Sequence, residues 1–129
     1  MTQAFFNHGR KIEVLVVEDE PLLRMDAVDL VEDAGFSALE AANADEAMLL
    51  LRDHPKVRVL FTDVEMPGSM NGIELAERVR REFPEMGIIV VSGHPKINKA
   101  SLPIEADFFA KPYHAARFTE TLRRVAAHA

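Results

Sequence analysis

Four short apolar runs limit what this chain can fold into. They cover residues 12–17 (interrupted by Glu13), 57–61 (interrupted by Arg58), 88–91 and 108–110, and none alternates as a half-exposed strand would. Near-continuous, β-branched runs of about four to six residues suit strands buried on both faces, as a parallel sheet requires. A weaker candidate, residues 36–39, lies between the first two. Helical periodicity fills the gaps. Pro21 reads as a first helical residue, with Leu23, Ala27, Leu30, Val31 and Ala34 on one face before Gly35 stops the segment. Asn43 and Glu46 read as a capping box for a helix that turns Ala47, Leu50 and Leu51 inward and ends before Pro55. Leu75, Ala76, Val79 and Phe83 form a third stripe, and Phe118, Leu122 and Val125 a last one. Between Ser92 and Phe108, the residues Pro95, Asn98, Ser101 and Pro103 leave room for only a turn or two of a fourth helix. Strand and helix therefore alternate five times. Such alternation predicts a parallel sheet with right-handed crossovers and helices on both faces, an α/β sandwich of three layers.

At 129 residues the chain is the size of one domain. Residues 1–10 read as a flexible leader in which Phe5 and Phe6 have no evident core partner, and residues 11–129 as the domain. The absence of cysteine removes disulfide scaffolds, thiolate metal sites and cysteine nucleophiles together. A net charge of −6 argues against nucleic acid as a partner. No apolar run reaches the roughly 18–20 residues of a membrane span, and the first ten residues lack a signal-peptide core, so a cytoplasmic location is expected.

In open α/β sheets, ligands bind beyond the carboxyl ends of the strands. The first run ends in Glu18-Asp19-Glu20, the run from Val57 leads to Asp63, the next to Ser92 and the last to Lys111. Carboxylates gathered at one rim repel each other unless a cation joins them, and an all-oxygen donor set favours Mg²⁺. A carboxylate there can act as a nucleophile toward phosphorus, with Lys111 and Ser92 able to stabilise the phosphoryl oxygens. The residues alone imply a Mg²⁺-dependent phosphoryl or anion site.

From Val14 to about Val125 the sequence resembles the receiver domains of two-component response regulators. The resemblance rests on Val14-Leu15-Val16-Val17-Glu18-Asp19-Glu20, on Asp63-Val64-Glu65-Met66-Pro67 leading to Asn71-Gly72, on Val91-Ser92-Gly93, and on Phe109-Ala110-Lys111-Pro112-Tyr113. It implies a flavodoxin-like (βα)5 fold with a five-stranded parallel sheet in order 2-1-3-4-5. It also implies that Asp63 is the phosphoacceptor. By the same resemblance Asp19 ligates Mg²⁺ directly, Glu18 acts through water, and Glu65 lends its backbone carbonyl. Ser92 would be the switch hydroxyl, a place more often held by Thr. Lys111 would contact the phosphoryl group ahead of a cis bond to Pro112, and Phe108 would be the rotameric aromatic. The implied donor is a histidine kinase or histidine phosphotransfer protein. The implied output is a downstream protein at the face of the fourth helix, fifth strand and fifth helix, where Arg117, Arg123 and Arg124 could meet an acidic partner. Such a module is a monomer or weak dimer and not an enzyme beyond its own phosphotransfer and autodephosphorylation.

Three features depart from the family pattern. The loop Met66-Pro67-Gly68-Ser69-Met70-Asn71-Gly72 is one residue longer than usual, the fourth helix is short of room, and the carboxylate of Glu65 adds negative charge where a phosphoryl donor must approach. Two other classes remain open. An aspartyl-phosphate hydrolase of haloacid dehalogenase type needs a second Asp where this chain has Glu65, and a cap for its substrate. A flavodoxin-like cofactor binder wants a Ser/Thr/Gly phosphate loop where Glu18-Asp19-Glu20 stands. A receiver excised from a hybrid histidine kinase is the alternative context, although Met1 and the leader point to a stand-alone protein. His8, His54, His94, His114 and His128 show no metal-ligand spacing, and Arg78, Arg80 and Arg81 read as a solvated face.

Overall fold

The computed structural model describes residues 6–7 and 10–129. Of the leader expected over residues 1–10, only β1 (Phe6–Asn7) and the first residue of β2 (Arg10–Lys11) are described, as a small antiparallel ribbon, and the rest lies outside the described residues. Five strands then form one parallel sheet: β3 (Glu13–Val17), β4 (Ser37–Ala41), β5 (Val57–Asp63), β6 (Gly87–Ser92) and β7 (Asp107–Ala110). Their order is β4-β3-β5-β6-β7, which is 2-1-3-4-5 counted along the chain. The strands end within two residues of the apolar runs, so the polar residues at or just past those ends share one rim.

Alternate residues of each buried strand face opposite layers. Val14, Val16, Val59, Phe61, Ile89 and Val91 pack against α1 (Pro21–Asp33) and α4 (Ala115–Ala127), which bring Ala27, Val31, Phe118 and Leu122. Leu15, Val17, Leu60, Ile88 and Val90 pack against α2 (Ala44–Asp53) and α3 (Gly72–Glu82), which bring Ala47, Leu51, Leu75 and Val79. Burial on both faces is why the runs read as continuous and not alternating.

Some local expectations change. Asn43 caps α2 by accepting from the Glu46 N–H at 2.9 Å, but the Glu46 carboxylate takes the Ala42 N–H instead of closing a box on Asn43. The complete capping box lies at α3, between Asn71 and Glu74. Leu23 does not join the buried face of α1; it is exposed, as are Leu22 and Met25.

The fourth crossover contains a single 3₁₀ turn, Lys99–Ser101, capped by Asn98, so the described residues form four α-helices and not five. Pro95 and Pro103 bracket too few residues for a nucleated helix, and the Asn98 side chain accepts from the Ala100 N–H of the turn. This segment is held from α3 by Arg80, whose guanidinium donates to the carbonyls of Pro84, Met86 and Glu105. Arg80 therefore fastens a loop and does not belong to a free solvated face.

Candidate functional site

Backbone hydrogen bonds between neighbouring strands set the site residues at fixed depths. The Glu18 N–H donates to Ala41 O just past β3, the Val64 N–H to Val91 O just past β5, and the Lys111 N–H to Ser92 O just past β7. The sheet ladder thus continues for one bond beyond the strand ends, and Glu18, Asp63, Ser92 and Lys111 come together at the rim. Gly72, the first residue of α3, donates its N–H to Val64 O at 2.9 Å, closing the loop after Asp63.

Asp63 is buried, at 5% exposure, in a cleft also lined by Glu18 and Lys111 and walled by Val16, Phe61 and Val91. The Lys111 amine donates to Asp63 Oδ2 at 2.9 Å and to Glu18 Oε1 at 3.3 Å. Burial works against the charge on Lys111, but Asp63 and Glu18 outweigh it and hold the amine above its ordinary pKa. Burial pushes the Glu18 carboxyl up to about 6, with the Glu20 N–H pulling it back and the Asp63 charge adding to the rise. The Lys111–Pro112 peptide is cis.

Carboxylate oxygens of Glu18, Asp19 and Asp63 lie within 4.8 Å of one another. Asp63 Oδ1 is buried and accepts no hydrogen bond from the described residues. One amine cannot satisfy three clustered carboxylates. An uncompensated carboxylate oxygen out of water is costly, and oxygen-only donors at this spacing suit a hard divalent cation. The residues present therefore fit Mg²⁺.

The hydroxyl of Ser92 is buried and donates to Glu65 Oε2 at 2.8 Å, while the Gly93 N–H donates to Glu65 Oε1 at 3.0 Å. The sequence shows the Glu65 carboxylate only as added negative charge at the rim; its hydrogen bonds to Ser92 and Gly93 were not anticipated. The strand register was the signal that could have found them. Asp63 is paired with Val91, so two steps along each chain bring position 65 beside position 93. His94 approaches Ser92 through its backbone N–H, at 3.0 Å, and turns its ring to the Lys96 N–H. Phe108 packs with the α2–α3 layer, and Phe109 with Phe118 and Tyr113 on the other side of the sheet.

A cluster of carboxylates, a hydroxyl and an amine at the carboxyl rim of a 2-1-3-4-5 parallel sheet defines a phosphoryl-signalling class of α/β domain. The family model of the response regulator receiver domain matches residues 14–123, and the chain belongs to that family. The nitrogen assimilation regulatory protein NtrX of Azorhizobium caulinodans is 33% identical over 116 residues, which is 87% of this chain and 25% of that protein. This chain thus spans about a quarter of that relative's length. A response regulator receiver protein from Pseudomonas putida superposes with a TM-score of 0.77 at 29% identity, over 88% of this chain and 96% of that one. A receiver domain protein from Clostridium thermocellum shares the fold, with a TM-score of 0.82 at 22% identity over 90% and 94% of the two chains. The chain is a receiver domain of two-component signalling, in which such domains serve as phosphoacceptors for histidine kinases. Among the described residues no helix is long and apolar enough to cross a membrane.

Proposed function

We propose that Asp63 accepts a phosphoryl group from the phosphohistidine of a kinase or phosphotransfer protein. The observation that carries this is the state of its carboxylate, with one oxygen held by Lys111 at 2.9 Å and the other buried with no hydrogen bond from the described residues. An Asp63 oxygen bonds to phosphorus as the phosphorus–nitrogen bond breaks, and the electron pair leaves with the imidazole. Asp19, the Asp63 carboxylate and the Glu65 backbone carbonyl would hold Mg²⁺, with Glu18 acting through water. Bound there, the ion supplies positive charge against the phosphoryl oxygens. Lys111 contributes a second positive charge, and Ser92 a hydroxyl donor.

Output runs through protein contact, at the surface formed by the 93–106 segment, β7 and α4. The arginines on this surface are unequal. Arg124 pairs with Asp107 and Arg123 donates to Ala34 O, whereas Arg117 is exposed. A hydrolase of haloacid dehalogenase type is not favoured. The acid/base position it needs is Glu65, and that carboxylate is engaged by Ser92 and Gly93.

Incubation with acetyl phosphate and Mg²⁺ should add one phosphoryl mass to the intact protein, and Asp63→Asn should abolish it. A mass shift that survives in Asp63→Asn would overturn the assignment.

A further inference from the structure

Two hydrogen-bond donors at the end of β6 converge on a single anion. The Ser92 hydroxyl and the Gly93 N–H each reach a different oxygen of the Glu65 carboxylate, at 2.8 and 3.0 Å. The hydroxyl oxygen accepts from the His94 N–H, and its one proton is given to Glu65. Gly93 also lies against the stem of Lys111, since a Cβ built on it would be 3.9 Å from the Lys111 Cδ. The amine at the end of that stem is the one on Asp63. The two donors therefore form an anion clamp on the Asp63 side of the rim, and the clamp holds a carboxylate.

We propose that the Glu65 side chain is an internal occupant of this clamp, and that an anion arriving on Asp63 gains Ser92 and Gly93 only by displacing it. The inference rests on Asp63 being the phosphoacceptor. Each donor has one hydrogen, so a phosphoryl oxygen and the carboxylate cannot both be served. Their negative charges also oppose joint occupancy. Glu65 thus makes the clamp a two-position element, closed on the carboxylate at rest and closed on the phosphoryl group after transfer. Its release also frees the start of the 93–106 segment, which in the resting arrangement is tied to the loop after β5. Occupancy at Asp63 is in this way transmitted to the surface that carries the output.

Beryllofluoride, a stable mimic of the acyl phosphate, tests this at saturating Mg²⁺. Glu65→Ala should bind it about ten-fold more tightly than the unmodified protein, the scale of one charge-assisted hydrogen bond recovered. Glu65→Gln, which keeps an acceptor oxygen without the charge, should fall between. In a Ser92→Ala background the gain from Glu65→Ala should shrink several-fold, because half of the clamp is gone. Equal gains in both backgrounds would reduce Glu65 to simple charge repulsion and overturn the proposal, as would unchanged affinity in Glu65→Ala. In the unliganded protein the Gly93 amide proton resonance should move upfield in Glu65→Ala, and a resonance that stays in place would equally overturn it. Undiminished beryllofluoride binding by Asp63→Asn would be a different failure, that of the phosphoacceptor assignment.

Discussion

Gly72 stands so close to Asp63 that a Cβ on it would lie 1.8 Å from the Asp63 carbonyl oxygen and 2.6 Å from the carbonyl carbon. Both contacts are with backbone, so no rotamer change relieves them. The capped start of α3 is pressed directly against the residue proposed to carry the phosphoryl group. Gly72→Ala should destabilise the fold by about 2–3 kcal/mol, the upper part of the range for overpacking. Urea unfolding measures this, and an unchanged midpoint would mean that the loop yields without cost. The same variant should also slow phosphorylation by acetyl phosphate, because Asp63 must move.

Lys111 is the cation that Asp63 and Glu18 share. Lys111→Ala leaves two buried carboxylates facing each other. In EDTA this should lower stability by about 1–3 kcal/mol. Millimolar Mg²⁺ should recover most of the loss, since the residues proposed to bind it are intact. Chemical unfolding with and without the ion separates the two cases, and an equal loss in both would remove Lys111 from the electrostatics of the site.

Glu18 gives the site a pH dependence of known sign. Its folded pKa, about 6, lies above the ordinary 4.5. The folded state therefore holds the proton more tightly, and the resulting stability is present below about pH 4.5 and lost as pH rises through about 6. Glu18→Gln removes the titration while keeping an acceptor for the Glu20 N–H. In EDTA the variant should gain stability over the unmodified protein as pH increases from 4.5 to 7, and the difference should level off above that. Parallel unfolding curves across this window would show that Glu18 does not titrate there.

Asp19 and Glu20 are adjacent, yet they should differ in metal binding. Asp19 has an oxygen within the 4.8 Å cluster, whereas Glu20 is the N-cap of α1 and outside it. Asp19→Asn should weaken Mg²⁺ by at least about ten-fold, which is what loss of even an outer-shell partner costs. Glu20→Gln should have a much smaller effect. Equal losses in a titration would contradict the placement of the acidic pair.

Legibility in the sequence followed the kind of interaction involved. Strands buried on both faces write themselves as unbroken apolar runs, so β3, β5, β6 and β7 were visible to within a residue or two. The charged or hydroxyl residue one or two places past each of these runs then fell at the rim, Glu18, Asp63, Ser92 and Lys111 in turn. The α1 start at Pro21 was likewise local chemistry. What stayed hidden depended on distance across the fold. Arg80 reads as a surface charge until the carbonyls of Met86 and Glu105 are brought to it. Leu23 fits the helical period, but near the start of α1 it stands 47% exposed at the edge of the Asp63 cleft. The engagement of Glu65 with Ser92 and Gly93 needs the β5–β6 register, which no single run specifies.

The ring cluster beside the site has a practical consequence. The chain contains no tryptophan and one tyrosine, Tyr113, two residues beyond Lys111. Its ring lies 5.7 Å from both Phe109 and Phe118 and 6.3 Å from Phe61, between the end of the sheet and α4. Excited at wavelengths that phenylalanine does not absorb, the domain's emission therefore originates from one phenol, two residues from the lysine that holds Asp63. Rearrangement around Lys111 can be followed optically in the unlabelled protein, with no tryptophan or second tyrosine in this chain to dilute the signal.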